Sequence, residues 1–204
     1  MLSGQTLDVY LREHLFEPLG MVDTGFWVDE DQLPRLTSLY AYPKDGLRRL
    51  DRRDRTRLGE RPSFLSGAGG LVSTAADYQR FLTMLANGGE LDGTRVIGDR
   101  TLRFMATNHL PGGATLNEMG QSTFSEAAMG GDGFGLGFSV VVDPAASQSL
   151  VSKGEYGWGG AASTAMWVDP AEELTCLFLT QLLPSSRFPI RRQLRATVNQ
   201  AIVD

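Results

Sequence analysis

Nucleophiles, bases and metal ligands are scarce in this chain of 204 residues, so the chemistry open to it can be narrowed residue by residue. It holds one cysteine, Cys176, and two histidines, His14 and His109. Of its 19 basic residues only Lys44 and Lys153 are lysines. The others are arginines, which stay charged inside proteins and do not serve as readily tuned general bases. Cys176 stands in the apolar run Leu174-Thr-Cys-Leu-Phe-Leu-Thr, the setting of a core filler. His14 falls on an apolar helical stripe and is expected to pack in the core. His109 falls in a loop and could pair with a serine, but no Gly-x-Ser-x-Gly elbow is present to supply one. A single cysteine excludes a cysteine-cluster zinc site, and no His-Glu-x-x-His occurs, so neither metal nor cofactor is expected. Gly67-Ala-Gly69-Gly70 precedes a helix and invites a phosphate-loop reading. Val72 occupies the place of the third glycine in Gly-x-Gly-x-x-Gly, and no Gly-Lys-Ser/Thr follows. The expectation there is a tight turn.

The elements that would position such residues read as α+β. From Thr6, the spacing of Leu7, Tyr10, Leu11, His14 and Leu15 predicts one face of a helix, capped by Thr6 and ended by Pro18 and Gly20. Residues 20–65 show no sustained period and read as a long covering loop. Within it seven arginines (48, 49, 52, 53, 55, 57 and 61) are interleaved with four acids. That cluster reads either as a solvated loop or as an anion or nucleic-acid patch. The absence of an aromatic stacking platform and the net charge of −5 favour the first. Thr74 and Asp77 form an acidic variant of the capping box before a helix carrying Tyr78, Phe81, Leu82 and Leu85, which Gly88-Gly89 stop. A shorter helix from Asp99 carries Leu102 and Met105, and 107–133 read as loop. The runs 134–142, 152–158, 163–169 and 174–182 are β-rich and joined by short turns, which makes them antiparallel neighbours. A last helix from about Ser186 sets Ile190, Leu194, Val198, Ala201 and Ile202 on one side. Residues 134–204 thus form a sheet meander plus a C-terminal helix. Apolar residues make up 42% and charged ones 21%, which excludes a disordered tail, and no stretch is apolar enough for a membrane span.

Four segments occur in a telling order: Phe16-Glu-Pro-Leu-Gly-Met-Val-Asp-Thr-Gly-Phe, Ser66-Gly-Ala-Gly-Gly-Leu-Val-Ser-Thr-Ala-Ala-Asp-Tyr, Gly135-Leu-Gly-Phe and Trp158-Gly-Gly. Together they resemble the beta-lactamase-related serine hydrolases, the group of class C beta-lactamases, penicillin-binding-protein-like peptidases and family VIII esterases. The Trp-Gly-Gly form looks most like the esterase branch. The resemblance implies a beta-lactamase/transpeptidase-like fold and an acyl-enzyme mechanism with three motifs. A Ser-x-x-Lys turn supplies nucleophile and base, a Tyr-x-Asn or Ser-x-Asn segment assists proton transfer, and a Lys-Thr-Gly-like triplet helps form the oxyanion hole. Trp158-Gly159-Gly160 matches the triplet, and the Ala161 N–H matches the strand-edge donor. Neither Lys44 nor Lys153 has a serine three residues before it, and no tyrosine is followed by x-Asn.

The resemblance therefore implies a C-terminal portion of the fold, 1–204 being a single partial domain. It lacks the N-terminal helix and strands together with the nucleophile, the lysine base and the tyrosine. The chain alone is expected to be inactive. The intact parent would hydrolyse a small-molecule ester, amide or lactam, and the alternative is a non-catalytic binding or regulatory module built on the same fold. A start without a basic and then apolar segment gives the expectation of a cytoplasmic protein. The missing strands would pair with the strand ending near Leu182. Without them its edge, beside Leu177, Phe178 and Leu179, would be a template for self-association, and the chain is expected to aggregate, dimerise or be molten.

Overall fold

The structure, a computed structural model, describes residues 3–44, 46–50, 59–119 and 130–203. The first helix begins where the sequence places it but is not uniform. An α-helical turn, α1 (Leu7–Leu11), runs into a π-helical turn (Arg12–Phe16) and then into α2 (Glu17–Leu19), with Gly20 left-handed at its end. Pro18 sits inside the last turn instead of ending the helix. The wide turn rotates everything after it relative to a 3.6-residue stripe. In consequence Phe16 and Leu19 are the buried residues, whereas Tyr10 and His14 face solvent. His14 is therefore not a core residue: its Nδ1 lies 3.0 Å from the Tyr10 carbonyl and its ring stacks on Tyr10.

The strands β1 (Tyr40–Ala41) and β2 (Arg48–Arg49) pair antiparallel within the long 20–65 segment. Of the arginine cluster, Arg52, Arg53, Arg55 and Arg57 lie outside the described residues. Arg61 is bound to Asp8 at 3.0 Å. Residues 67–70 make a turn, and Val72 bridges to Gly25.

Helix α3 (Ala75–Ala86) starts as its sequence requires, with the Thr74 hydroxyl oxygen accepting the Asp77 N–H at 3.2 Å. The Asp77 carboxylate does not complete a capping box. It is buried and accepts the Asp23 N–H at 2.7 Å and the Thr24 hydroxyl at 2.8 Å, which ties the start of α3 to the chain leaving α2. The hairpin β3 (Glu90–Leu91) and β4 (Thr94–Arg95) and helix α4 (Asp99–Met105) follow, then the short α5 (Leu116–Met119).

The last third forms a five-stranded antiparallel meander. Its strands are β5 (Asp132–Phe134), β6 (Ser139–Val141), β7 (Tyr156–Gly159), β8 (Ala165–Asp169) and β9 (Leu174–Phe178), in that spatial order. A four-residue helix, α6 (Pro144–Ser147), lies between β6 and β7. The run 134–142 is thus a hairpin and not one strand, reversing where the Gly135 N–H bonds the Phe138 carbonyl at 2.8 Å. The run 174–182 also divides. β9 ends at Phe178, and β10 (Leu182–Leu183) leaves the meander to pair in parallel with β1. Helix α7 (Ile190–Gln200) closes the described chain.

Phe138, Val140, Tyr156, Met166 and Val168 pack with Leu82, Met84, Leu85, Phe16 and Leu19 into the core, and Leu177 joins its margin. The alternate residues Ser139, Glu155, Trp167 and Asp169 are buried on the opposite face. Arg195 of α7 reaches Glu155 on that side. The apolar stripe expected for the last helix is only half-buried at Ile190, Leu194 and Val198, while the polar Asn199 is its buried residue. A sheet face carrying buried carboxylates selects a cation from the helix that covers it, as Arg195 shows at Glu155.

Candidate functional site at the β7 edge

Trp158, Gly159, Gly160 and Ala161 come together at one end of the meander. β6 stops opposite Gly157, whereas β7 remains paired with β8 as far as Gly159 and Ala165. The outer edge of β7 is therefore open from Trp158 onward. Ala161 is exposed, and its N–H has no acceptor among the described residues. An open strand edge followed by a solvent-facing N–H is a donor that an anionic oxygen can reach. The Trp158 side chain is 37% exposed and meets the Phe134 ring edge-on, with centroids 5.1 Å apart.

The turn behind this edge is held from several directions. The Gly160 N–H reaches the Thr164 hydroxyl at 3.0 Å and its carbonyl at 3.2 Å, and the Ser163 N–H bonds the Gly160 carbonyl at 3.1 Å. Ser163 is buried in the left-handed region (φ +68°), and its hydroxyl bonds the Leu182 carbonyl at 2.7 Å. In return the Leu182 N–H bonds the Ala162 carbonyl at 3.0 Å. From α7, Arg191 donates through Nε to the Thr164 carbonyl at 3.0 Å and through its terminal nitrogen to the Gly160 carbonyl. Gly159 makes room for this guanidinium, since a Cβ there would stand 2.6 Å from the Arg191 Cζ and 2.7 Å from the Thr164 carbonyl oxygen.

A cavity of about 80 Å³ lies alongside, lined by residues that include Asp132, Ser139, Trp167 and Arg195. Glu155 is fully buried nearby, with an Arg195 nitrogen 2.6 Å from its Oε1. Burial pushes the Glu155 carboxyl up to about 7; Arg195 opposes that rise, and Asp169 and Asp132 add to it. Asp132 is raised by the same burial. Tyr156, on β7, is pushed up to about 12 and Cys176 to about 11, both by burial, which leaves neither poised to accept or release a proton near neutrality.

The other candidates do not converge on this edge. His109 is exposed, its Nε2 lying 2.8 Å from the Phe104 carbonyl, and both lysines are exposed. A second pocket of about 340 Å³, lined by Asp8, Phe16, Asp23, Phe26 and Trp27, shares no residue with the triplet. Its Asp8 and Asp23 are held by Arg61 and Arg35. Among the described residues no group of three His, Cys, Asp or Glu side chains could hold a metal ion. No helix among them is long and apolar enough to cross a membrane. Sequence reasoning missed Arg191 and Glu155. The available signal was the i, i+4 repeat Arg191–Arg195 opposite glycine-rich β7, which an apolar-stripe reading passes over.

The family model for Beta-lactamase matches residues 2–200. An uncharacterized protein of Mycobacterium tuberculosis (strain CDC 1551 / Oshkosh) is 39% identical over 185 residues, 85% of this chain and 43% of that protein. Among solved structures, Simvastatin Synthase (LovD) from Aspergillus terreus superposes with a TM-score of 0.80 at 23% identity, covering 98% of this chain and 50% of the synthase. EstCE1, a hydrolase with promiscuous acyltransferase activity, gives 0.75 at 20% identity, covering 97% and 51%. The fold is thus beta-lactamase/transpeptidase-like, and the chain spans about half the length of these relatives, from 43% to 51%.

Proposed function

Because this chain belongs to the beta-lactamase family, whose members point to serine hydrolase or acyltransferase chemistry, we propose that it builds one wall of an acyl-transfer cleft. In this reading the nucleophile, its lysine base and the tyrosine lie on chain outside this sequence. The observation that carries the reading is the open β7 edge, with Trp158-Gly159-Gly160 leading to an Ala161 N–H that has no acceptor among the described residues. When a serine oxygen attacks an ester carbonyl, the C=O bond opens to a tetrahedral centre and its electron pair collects on oxygen. The Ala161 N–H donates to that oxygen. The leaving alcohol departs with a proton from the base, and water later repeats the attack on the acyl-enzyme. An N–H fixed in a turn needs no reorganisation as the charge develops, which is why such donors contribute more in a cleft than in water.

Trp158 sets the substrate class. It stands where the related triplet carries a lysine, and it offers an exposed ring backed by Phe134 rather than a cation. An aromatic wall suits acyl chains, whereas a carboxylated lactam wants a positive charge. The cleft therefore favours short acyl esters.

The test is a p-nitrophenyl ester assay on the purified chain and on the same chain supplied with the family's N-terminal portion. The chain alone is expected to be inactive, because losing even one member of a catalytic set costs several orders of magnitude. The combined protein is expected to turn over. Ordinary enzyme rates from the chain alone, abolished by a change at Gly159, would overturn the division of the site. A combined protein that binds esters without turnover would favour a binding module.

A further inference from the structure

The role of α7 goes beyond covering the sheet. Two arginines one helical turn apart, Arg191 and Arg195, project toward the same side, and each is engaged with a different part of the meander. Arg195 anchors the helix to Glu155, which has no exposed surface, at 2.6 Å, and its guanidinium lies 5.6 Å from the Trp167 ring centroid. Arg191 reaches the turn that carries Ala161. Its fork spans the carbonyls of Gly160 and Thr164, the two residues between which the chain reverses. The same two residues already bond each other through the Gly160 N–H. The fork therefore closes a cross-link over a turn that contains a left-handed serine at position 163.

We infer that Arg191 is a positioning residue for the Ala161 donor, with α7 as its frame and the Glu155–Arg195 pair as the frame's anchor. Three features of the geometry support this. Gly159 has no side chain at the point where a Cβ would displace the guanidinium. Arg191 bonds the backbone carbonyls of Gly160 and Thr164, and through them it fixes the chain path of the turn. The bonded carbonyls flank Ala161, and the third tie on this turn, Ser163 to Leu182, leads to β10 and through it to β1. A planar, always-charged fork suits a pair of divergent carbonyls, while a lysine ammonium would reach them as a single point charge.

The inference rests on the reading of this edge as a donor site, but its test does not. Amide hydrogen exchange on the full chain reads the clamp whatever the turn donates to, so a failure here leaves the acyl-transfer reading untouched. Replacing Arg191 (Arg191→Ala) should speed exchange at the Gly160, Ser163 and Leu182 amides by about tenfold or more, as expected for loss of charge-assisted bonds. Exchange at Val140 and Val168 in the core should stay unchanged. Methylguanidinium added to Arg191→Ala should slow the three amides again by filling the vacated space. Arg191→Lys should recover only part of the protection, and Arg192→Ala, at the exposed neighbouring position, should leave it intact. Unchanged rates in Arg191→Ala would overturn the inference. So would acceleration shared equally by Val140 and Val168 and unaffected by methylguanidinium, because that pattern means general loosening.

Discussion

Replacing Glu155 by glutamine should flatten the dependence of stability on pH between pH 5 and pH 8, and should not simply weaken the fold. Glu155 is fully buried, and even with Arg195 at 2.6 Å its carboxyl is lifted from 4.5 to about 7. Desolvation is the first cause, and the carboxylates of Asp169 and Asp132 add to it. A carboxyl that binds its proton more tightly when folded contributes its full stabilisation below its unfolded pKa and loses it as pH rises through the folded one. A tenfold difference in proton affinity is worth about 1.4 kcal/mol, so this group alone should cost the wild-type chain about 2–3 kcal/mol between pH 5 and pH 8. For a chain of this size that is roughly 5–10 °C in melting temperature. Glutamine does not titrate, so the variant should match wild type near pH 5 and exceed it at pH 8. Asp132, also raised by burial, is present in both proteins, and the comparison isolates Glu155. Asp8 and Asp23 are held below the ordinary carboxylate range by Arg61 and Arg35, so their contributions are lost only in stronger acid, outside this window. Urea unfolding followed by tryptophan fluorescence at several pH values reads the difference directly. A glutamine variant less stable than wild type at pH 8 would refute the reasoning, since the ionised Glu155–Arg195 pair would then be a net stabiliser despite its burial.

Three further outcomes follow from named contacts. Asp77→Ala should cost about 2–4 kcal/mol in urea unfolding, because it leaves the Asp23 N–H and the Thr24 hydroxyl without their buried acceptor; Thr74→Ala, which removes only the helix cap, should cost about 1 kcal/mol. With the family's N-terminal portion supplied, Trp158→Lys should move relative kcat/KM from short acyl esters toward cephalosporins by about tenfold, or about 1.4 kcal/mol; an unsubstituted combined protein that already prefers cephalosporins would contradict the role proposed for Trp158. β9 is the terminal strand of its sheet among the described residues, so the isolated chain should self-associate with rising concentration, and Phe178→Lys should suppress this. Size-exclusion chromatography with near-UV circular dichroism checks it, and a sharp monomer peak with a cooperative melt would show that the edge needs no partner.

Much of the architecture was legible in the linear order of residues. Thr74 before an apolar stripe marked the start of α3, and short Gly- and Pro-containing links between β-rich runs marked an antiparallel meander. Trp158-Gly159-Gly160 marked the edge by likeness to a family. These are signals carried by neighbours a few residues apart, where helix and strand periods and turn chemistry act directly. The remainder required residues distant in the chain to meet. A π-turn shifted the buried positions of the first helix to Phe16 and Leu19 and left His14 in solvent, because packing on the core overrode the regular stripe. β10 left the run of β9 to pair with β1, more than a hundred residues earlier, and no local pattern encodes that register. Asp77 looked like half of a capping box, yet its carboxylate went to Asp23 and Thr24. Arg191 and Arg195 lie off the apolar stripe of Ile190, Leu194 and Val198 that the helical period picks out. Only the folded sheet shows why they face inward: its covered side carries Glu155, Asp132 and Asp169 together with the carbonyls of a turn, and buried charge and buried carbonyls demand partners that apolar residues cannot supply.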